Sequence, residues 1–446
     1  MALLDSLFGS EAMNAIFSDA ARLQGMLDFE VALARAEARC GLMPVASAEA
    51  IAAQCKTELL DFGALSSAAA LSLNPAVPLV KQLTALVTKN DKDAARFVHW
   101  GATSQDANDT GLVLQMRRAF EVIEKDLELL AASLADMAQK YRSTPITGRT
   151  LMQHAMPTTF GAKVASLLDA ITRHRERLAE TRKRALVAQF GGAVGTLSAL
   201  GDKGLAVAAA LADELKLAEP AAPWHTQRDR VAEVACTLGL LAGTLGKIAR
   251  DLSLRAQTEI GEIFEPAGEG RGGSSTMPHK RNPVTCGVVL AAAVRVPGLV
   301  STMLSAMVQE DERGLGNWHA EWETLPEIFR VTGGALHQMA WIMPRLEVDA
   351  ARMRANLEAT RGLIYAEGVT MALARHMGKS EAHSLVEGAS RRARESGKHL
   401  RDVLHGEPEA TKLVSTAELD SLFAPENYLR AAEEFVDRVI GAARRN

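Results

Sequence analysis

The sequence predicts an all-α fold built on a central bundle of long helices, and three observations support this. Hydrophobic residues, mainly alanine and leucine, make up 48% of the 446 residues, while aromatic residues make up only 4%. Stretches rich in β-branched residues are scarce, which disfavours large sheets. Three long segments repeat apolar residues every three or four positions, the spacing of one helix face.

The three segments are long enough for helices of about thirty residues, which span roughly 45 Å. The first apolar stripe contains Leu112, Met116, Phe120, Ile123, Leu127, Leu130, Leu134 and Met137. The third contains Val231, Val234, Leu238, Leu241, Leu245, Ile248 and Leu252. Residues 157–187 form a similar but more charged segment between them. Helices this long must bury their stripes against one another, so we expect a bundle whose remaining apolar surface joins subunits.

A fourth long helix is predicted to begin at Pro283 with Asn282 as its N-cap, since both residue types suit a helix start. It should run toward Glu312 and bend at Pro297.

Breaks in the apolar pattern fall near residues 90–110 and 359–368. They divide the chain into three predicted parts: a small N-terminal helical domain at 1–111, the central bundle at 112–362, and a small C-terminal helical domain at 363–446.

Charge and cysteine usage exclude several classes of protein. The net charge is −4 and no basic stripe is visible, so nucleic acid is not an expected partner. The four cysteines form no CxxC pair, so we expect a reducing, cytoplasmic compartment. Neither a signal peptide nor a membrane span is expected. We expect no metal or other cofactor, because HExxH and the P-loop ending are absent.

Four polar stretches stand at the ends of predicted long helices. They read HWGATSQDANDT from His99, GRTLMQHAMPTTFG at 148–161, PWHTQRDR at 223–230 and GGSSTMPHKRNP at 272–283. The hydroxyl groups could simply cap helices, and the glycines at 268–273 could form a linker. Alternatively, the last stretch is a glycine-hinged lid. Its lysine and amide suit a carboxylate, and its serine could move a proton if backbone N–H groups stabilise the alkoxide.

The last stretch resembles the signature loop of the fumarase/aspartase superfamily, GSSxMPxKxNP, at all eight specified positions. The first two stretches resemble that superfamily's first and second active-site segments. PWHTQRDR and ERGLGNWHAEW at 312–322 resemble segments of adenylosuccinate-lyase-like members. The resemblance extends from about residue 10 to 405. It implies a three-domain all-α fold, a homotetramer whose active sites each use three subunits, and β-elimination, or its reverse, next to a carboxylate.

The resemblance also implies roles for individual residues. Ser274 matches the base that removes the proton, and Ser275 beside it is a second catalytic candidate. His154 is a third, because it could partly replace a histidine that this chain lacks, although it could instead contact a neighbouring subunit. The implied substrate-binding residues are His99, Thr103, Ser104, Gln153, Lys280, Asn282 and Arg313.

Two departures from the superfamily pattern bear on the substrate. Many members carry a histidine where this chain has Leu151, and a glutamate that holds it where this chain has Gly287. A nitrogen leaving group needs a general acid, whereas a carboxylate, with a conjugate-acid pKa of about 4, needs none. Bacterial members of the cycloisomerase branch likewise carry an apolar residue there. In that branch, a carboxylate of a muconate tricarboxylate adds to a double bond of the same molecule and closes a lactone.

The second departure is Trp322, where adenylosuccinate lyases carry an arginine for the nucleotide phosphate. It argues against an AMP group, although Trp318 and Trp322 could simply pack in a core or an interface. The favoured interpretation is therefore an intramolecular lyase acting on a tricarboxylate, without nucleic acid or membrane partners. The alternatives are an adenylosuccinate-lyase-like C–N lyase and a non-enzymatic structural homologue.

Overall fold

The structure is a computed structural model that describes residues 3–266, 272, 277 and 279–445. Six helices precede the long ones: α1 Asp5–Phe8, α2 Glu11–Ile16, α3 Asp19–Arg39, α4 Val45–Gln54, α5 Phe62–Ser72 and α6 Ala76–Asn90. The middle of the chain contains α7 Ser104–Lys140, α8 Phe160–Ala185, α9 Gly204–Leu215, α10 Asp229–Arg255, α11 Val284–Ala306 and α12 Asn317–Ile342. The remaining helices are α13 Ala350–Leu357, α14 Ala366–Met377, α15 Lys379–Ser396, α16 Leu400–His405, α17 Pro408–Leu413, α18 Thr416–Ser421 and α19 Arg430–Ala443.

Strands are few in the described part of the chain. An antiparallel hairpin joins β1 Pro145–Thr150 to β2 Gln153–Thr159, and a second short pair joins β3 Ile263–Phe264 to β4 Glu347–Val348. The all-α prediction is therefore confirmed.

The predicted apolar stripes form the core of the long helices. Every residue of the stripe on α10 is at most 7% exposed. On α7 the stripe is buried from Met116 to Met137, and only Leu112 is half-buried. The spacing therefore identified the buried face of both helices correctly.

Two predicted helix ends differ from the structure. Residues 157–159 end β2 instead of starting a helix, because Thr158 and Thr159 pair with Ile146 and Pro145 of β1. A period-based prediction does not detect such pairing, which depends on a partner strand. The fourth long helix ends at Ala306, short of residue 312. There the side-chain amide of Gln309 donates to the Ala306 carbonyl and so satisfies the helix terminus.

The chain forms two compact units. The first comprises Met1–Leu127, His174–Gly246 and Val288–Gln338, and the second comprises Glu128–Arg173, Lys247–Gly287 and Met339–Asn446. The three-part division at residues 111 and 362 stays a prediction.

Within the first unit, α3 and α7 meet at a pair of glycines. A Cβ atom added to Gly25 would lie 2.8 Å from the Gly111 carbonyl oxygen. Only residues without a side chain allow two helix backbones to approach so closely. This contact fixes α3 beside the N-terminal part of α7, where the first polar stretch begins.

By length and composition, α10 and α11 could each cross a membrane, but 61% of the most apolar stretch of α10 is buried in the protein. For α11 the buried share is 28%. The residues of α10 therefore serve the core, whereas α11 presents apolar side chains on its surface, with Val294 79% exposed.

Candidate active site

The first polar stretch is held at the start of α7 by the buried carboxylate of Asp106. This carboxylate accepts hydrogen bonds from the backbone N–H groups of Thr103 at 3.0 Å, Gly191 at 3.1 Å and Gly192 at 2.9 Å. The bond to Thr103 is the backward half of a capping box. Asp106 thus fixes the hydroxyl-bearing turn against a second loop of the same unit.

The third polar stretch joins the same carboxylate. Nε2 of His225 lies 2.7 Å from Asp106 Oδ1, and the side-chain amide of Gln189 donates to the same oxygen at 3.2 Å. All three side chains are buried. The PWHTQRDR segment therefore contributes a buried histidine that contacts Asp106, and Asp106 in turn holds the turn that contains Thr103 and Ser104.

A second buried network centres on Arg228, whose side chain is 1% exposed. It donates to Asp109 at 2.7 and 3.0 Å and to Glu321 at 2.6 and 3.0 Å. Burial disfavours the charged guanidinium, but the two carboxylates outweigh burial and raise the pKa of Arg228. The indole of Trp318 donates to Asp109 at 3.0 Å. Trp318 is thus a core residue of the first unit, as the packing alternative expects.

Trp322 lies beside Trp318, with ring centroids 4.9 Å apart and the planes nearly perpendicular. Its indole nitrogen is buried without a hydrogen-bond partner among the described residues. Position 322 is occupied by tryptophan and not by the arginine that binds a nucleotide phosphate in adenylosuccinate lyases. The argument from sequence against an AMP group still applies.

His99 is paired with a carboxylate that the sequence analysis missed. Its Nδ1 lies 2.6 Å from Oε1 of Glu30 on α3, and its backbone has a left-handed φ of 58°, which is uncommon for a residue other than glycine. Burial disfavours the imidazolium, but the charge and hydrogen bond of Glu30, with the charge of Asp106, outweigh it and raise the pKa of His99. The sequence carried little signal for this pair, because Glu30 is one of four acidic residues on α3.

Three more predicted substrate-binding residues lie in the first unit. Thr103 and Ser104 are half-buried, and the Ser104 hydroxyl accepts a hydrogen bond from the Asn74 amide at 3.0 Å. Arg313 donates to the Gln105 side chain at 3.3 Å and the Ala193 carbonyl at 2.7 Å. Because both acceptors are neutral, they orient the guanidinium without neutralising its charge.

The second polar stretch forms the β1–β2 hairpin of the second unit. Leu151 and Met152 occupy its two-residue turn with φ values of 48° and 67°, a conformation that usually selects asparagine or glycine. Leu151 is 97% exposed and Gln153 is also exposed. His154 is half-buried; burial and the charge of Arg149 lower its pKa, while Glu262 opposes the shift. The hairpin therefore presents an apolar tip that is largely exposed in the described part of the chain, with Leu151 97% and Met152 69% exposed.

The end of the signature loop is anchored in the second unit by Glu265. Its carboxylate accepts the N–H groups of Thr285 at 3.1 Å and Cys286 at 2.8 Å, at the start of α11, where an anion is favoured. Arg281 donates to the Glu265 carbonyl and to Glu347, both at 2.8 Å. Lys280 beside it is exposed. Its ammonium has no ion pair in the described part of the chain.

The structure therefore places the predicted residues in two groups. His99, Thr103, Ser104 and Arg313 belong to the first unit, and Gln153, His154, Lys280 and Asn282 to the second. The Asn282 N–H donates to the Gly272 carbonyl at 2.9 Å. Ser274 and Ser275 lie outside the described residues. Among the residues that are described, no group of His, Cys, Asp or Glu could hold a metal ion.

Sequence comparison matches two stretches of the chain to known families. The model of the family described as Lyase matches residues 9–298, and that of Adenylosuccinate lyase C-terminus matches residues 362–439. A 3-carboxy-cis,cis-muconate cycloisomerase from Pseudomonas aeruginosa is 57% identical, with 98% of this chain and 95% of that protein aligned. A nitrosuccinate lyase from Streptomyces davaonensis is 43% identical, with 98% of this chain and 94% of that protein aligned.

The structure agrees with these matches. The crystal structure of a 3-carboxy-cis,cis-muconate lactonizing enzyme from Pseudomonas putida superposes with a TM-score of 0.95 at 53% identity, covering 99% of both chains. The likeness therefore extends over almost the full length of the chain. On these grounds the chain belongs to the Lyase family, within the fumarase/aspartase superfamily.

Proposed function

We propose that the protein is a 3-carboxy-cis,cis-muconate cycloisomerase, an isomerase of the protocatechuate branch of the β-ketoadipate pathway that forms 4-carboxymuconolactone. The observation that carries this proposal is Leu151. It is 97% exposed, so packing against the described residues does not explain an apolar residue at a position where many superfamily members carry a histidine. A carboxylate leaving group, in the elimination direction, is the chemistry that needs no acid there.

Gly287 supports the same conclusion. A Cβ atom added to it would have no other described atom within 4 Å, so a side chain could begin at this position without a clash. Crowding therefore does not explain the loss of either half of the His–Glu pair. The two relatives described above that act on carboxymuconate by name match over almost the full chain, whereas the nitrosuccinate lyase is less similar.

A tricarboxylate requires several cationic or hydrogen-bonding groups, and the candidate residues supply them. Lys280 and Asn282 would bind one carboxylate, and Thr103 with Ser104 a second. The imidazolium of His99, held by Glu30 at 2.6 Å, would bind a third. Charge-assisted hydrogen bonds of this kind are roughly twice as strong as neutral ones.

The reaction itself needs one proton. A substrate carboxylate forms a C–O bond to one carbon of the conjugated double bond, and the electron pair moves onto the neighbouring carbon and its carboxylate. Ser274 would then donate a proton to that neighbouring carbon. In the reverse direction it would act as the base that superfamily resemblance implies.

We further propose that the protein is a homotetramer. Exposed apolar side chains on the long helices support this, among them Val294 at 79%, Leu240 at 55% and Leu304 at 48%. An apolar surface of this kind on long helices is typical of interaction sites. Sedimentation or light scattering should give four times the chain mass of 47.8 kDa.

The alternative is an amine-eliminating lyase, favoured by the match of residues 362–439 to an adenylosuccinate lyase C-terminus. An ultraviolet assay decides between them. With carboxymuconate, the absorbance of the conjugated diene should fall as the lactone ring closes. Adenylosuccinate should not be cleaved. Turnover of adenylosuccinate without any loss of diene absorbance would refute the cycloisomerase proposal.

A further inference from the structure

A cavity of about 410 Å³ in the second unit has an unusual excess of positive charge. It lies between the β1–β2 hairpin, the beginning of α8 and the end of α10. Four of its lining residues are Arg149, Lys163, Lys247 and Arg255, and its only carboxylate among the lining residues is Asp251. Its apolar walls are Met152, Leu254 and Ile260.

The carboxylates near this cavity do not neutralise all four cations. Asp251 is shared, since Lys247 pairs with it directly and Arg255 lies 3.5 Å from it. Glu262, outside the lining, accepts both terminal nitrogens of Arg149 at 2.6 and 3.0 Å. Lys163 has neither an ion pair nor a side-chain hydrogen bond within the described residues.

Two buried donors also lack partners. The Nε atoms of Arg149 and Arg255 are inaccessible to solvent and make no hydrogen bond to any described residue. A buried donor without a partner destabilises the folded protein. Because these atoms are closed to solvent, an anion in the cavity would interact with the charge of the two guanidinium groups and not with these donors.

The pKa of Lys163 is strongly affected by the groups around it. Burial, followed by the positive charges of Arg255 and Arg149, lowers its pKa to about 8, while Asp251 and Glu262 oppose the shift. Burial likewise lowers the pKa of Arg255, with Arg149 contributing. His154, which also lines the cavity, has its pKa lowered by burial and by Arg149. The cations thus repel one another, and a bound anion would relieve this repulsion.

We propose that this cavity is a second anion site, which binds a small polycarboxylate with Lys163 as its central ligand. The four cations exceed the carboxylates Asp251 and Glu262 by two charges, which fits a ligand with two or more negative charges, and Lys163 can donate a charge-assisted hydrogen bond to it. The apolar walls fit the carbon skeleton that joins the carboxylates. Because Gln153 and His154 are on the hairpin that forms one wall, occupancy of the cavity would hold those two side chains in place.

The proposal predicts proton uptake on binding. At pH 8 a lysine with a pKa of about 8 is half protonated, and an anion beside it raises that pKa, so binding should take up at most about half a proton per site. Calorimetric titration with propane-1,2,3-tricarboxylate, a saturated compound, in two buffers of different ionisation enthalpy measures this quantity. Inorganic phosphate, run in parallel, should bind more weakly because it has no carbon skeleton.

Three variants of the full-length protein complete the test. Lys163→Met should weaken this site about 10- to 100-fold and abolish the proton uptake at pH 8. Lys163→Arg should retain binding but not the proton uptake, because arginine remains charged. Lys183→Met removes an exposed lysine of the same helix, which pairs with Glu180, and should change neither.

Equal binding by wild type and Lys163→Met would overturn the proposal, as would wild-type binding without proton uptake. If an acidic side chain of a second copy fills the cavity, Lys163 would already be protonated at pH 8 before ligand is added. No proton uptake would then be measured, and the proposal would be overturned. The test measures binding only. A lack of carboxymuconate turnover by the wild type would therefore refute the proposed function without affecting this result.

Discussion

The imidazole of His99 is held by Glu30, with 2.6 Å between Nδ1 and Oε1. The Glu30 side chain is 2% exposed and that of His99 16%, so solvent screens this pair only weakly. Glu30 reaches His99 from α3, which Gly25 and Gly111 bring against α7. The pair joins residues 69 positions apart in sequence and depends on this helix contact, and it places an imidazole with a raised pKa next to Thr103 and Ser104.

Glu30→Gln should lower the pKa of His99, because the charge that stabilises the imidazolium is lost. NMR titration of the histidine ring should show the shift. Since the folded-state pKa is raised, the pair's contribution to stability is complete below the unfolded value of about 6.5 and is lost as pH rises through the folded value. The stability difference between wild type and variant should therefore shrink with increasing pH. The matched change Glu381→Gln, at an exposed carboxylate, should leave the His99 titration unaltered.

Ser274→Ala should leave the fold and assembly intact while reducing turnover of carboxymuconate by about 10²–10⁴-fold or more, as expected for loss of a sole acid/base group. Steady-state kinetics and light scattering together measure both effects. Ser384→Ala, at an exposed helical serine, serves as the control and should retain full activity. Residual activity above roughly a tenth of the wild-type rate would show that another group transfers the proton.

Lys280→Met should mainly weaken substrate binding. A charge-assisted contact is worth roughly 1.5–3 kcal/mol, which corresponds to a 10- to 150-fold change in affinity. Because Lys280 is exposed and has no ion pair within the described residues, the melting temperature should not change. Lys412→Met removes another exposed lysine and should leave KM unchanged. Identical KM and kcat for Lys280→Met and wild type would exclude Lys280 as a substrate ligand.

Arg228→Met should destabilise the first unit strongly. Removing one partner of a buried charge network typically costs about 3–5 kcal/mol, and here it would leave both Asp109 and Glu321 buried without their cation. Urea unfolding should reveal this as a lower midpoint. Arg173→Met breaks an exposed pair with Asp169, so its midpoint should stay close to that of wild type. A similar midpoint for both variants would contradict a structural role for Arg228.

The double change Leu151→His with Gly287→Glu should restore the pair that many superfamily members carry, and it should lower lactonisation. Neither position is crowded by described residues at the start of the side chain, since Leu151 is 97% exposed and a Cβ atom at Gly287 has no atom within 4 Å. The introduced carboxylate would repel an anionic substrate by about 1 kcal/mol or more at short range. Assays of wild type and double variant on carboxymuconate and adenylosuccinate measure the effect. A faster lactonisation would disprove the leaving-group argument, and a gain of adenylosuccinate cleavage would favour the amine-lyase alternative.

Local patterns in the sequence determined a large part of this protein. The stripes on α7 and α10 revealed their buried faces, because helical periodicity depends only on near neighbours in the chain. The signature loop and the two segments that contain Thr103 and Gln153 indicated the superfamily. The presence of Leu151 and Gly287, where many members carry a histidine and a glutamate, indicated a carboxylate leaving group. The stripes required residue identity and spacing alone, whereas the superfamily and the chemistry also required the resemblance to known members.

Tertiary structure alone decided the partners of the polar residues. Nothing in the sequence linked His99 to Glu30, Arg228 to Glu321, or Lys163 to Arg255, since each pair joins residues far apart in the chain. A carboxylate on a helix has the same local pattern whether it faces solvent or a buried cation. Its role, and any shift in the pKa of its partner, depends on burial and distance, which exist only once the helices have packed.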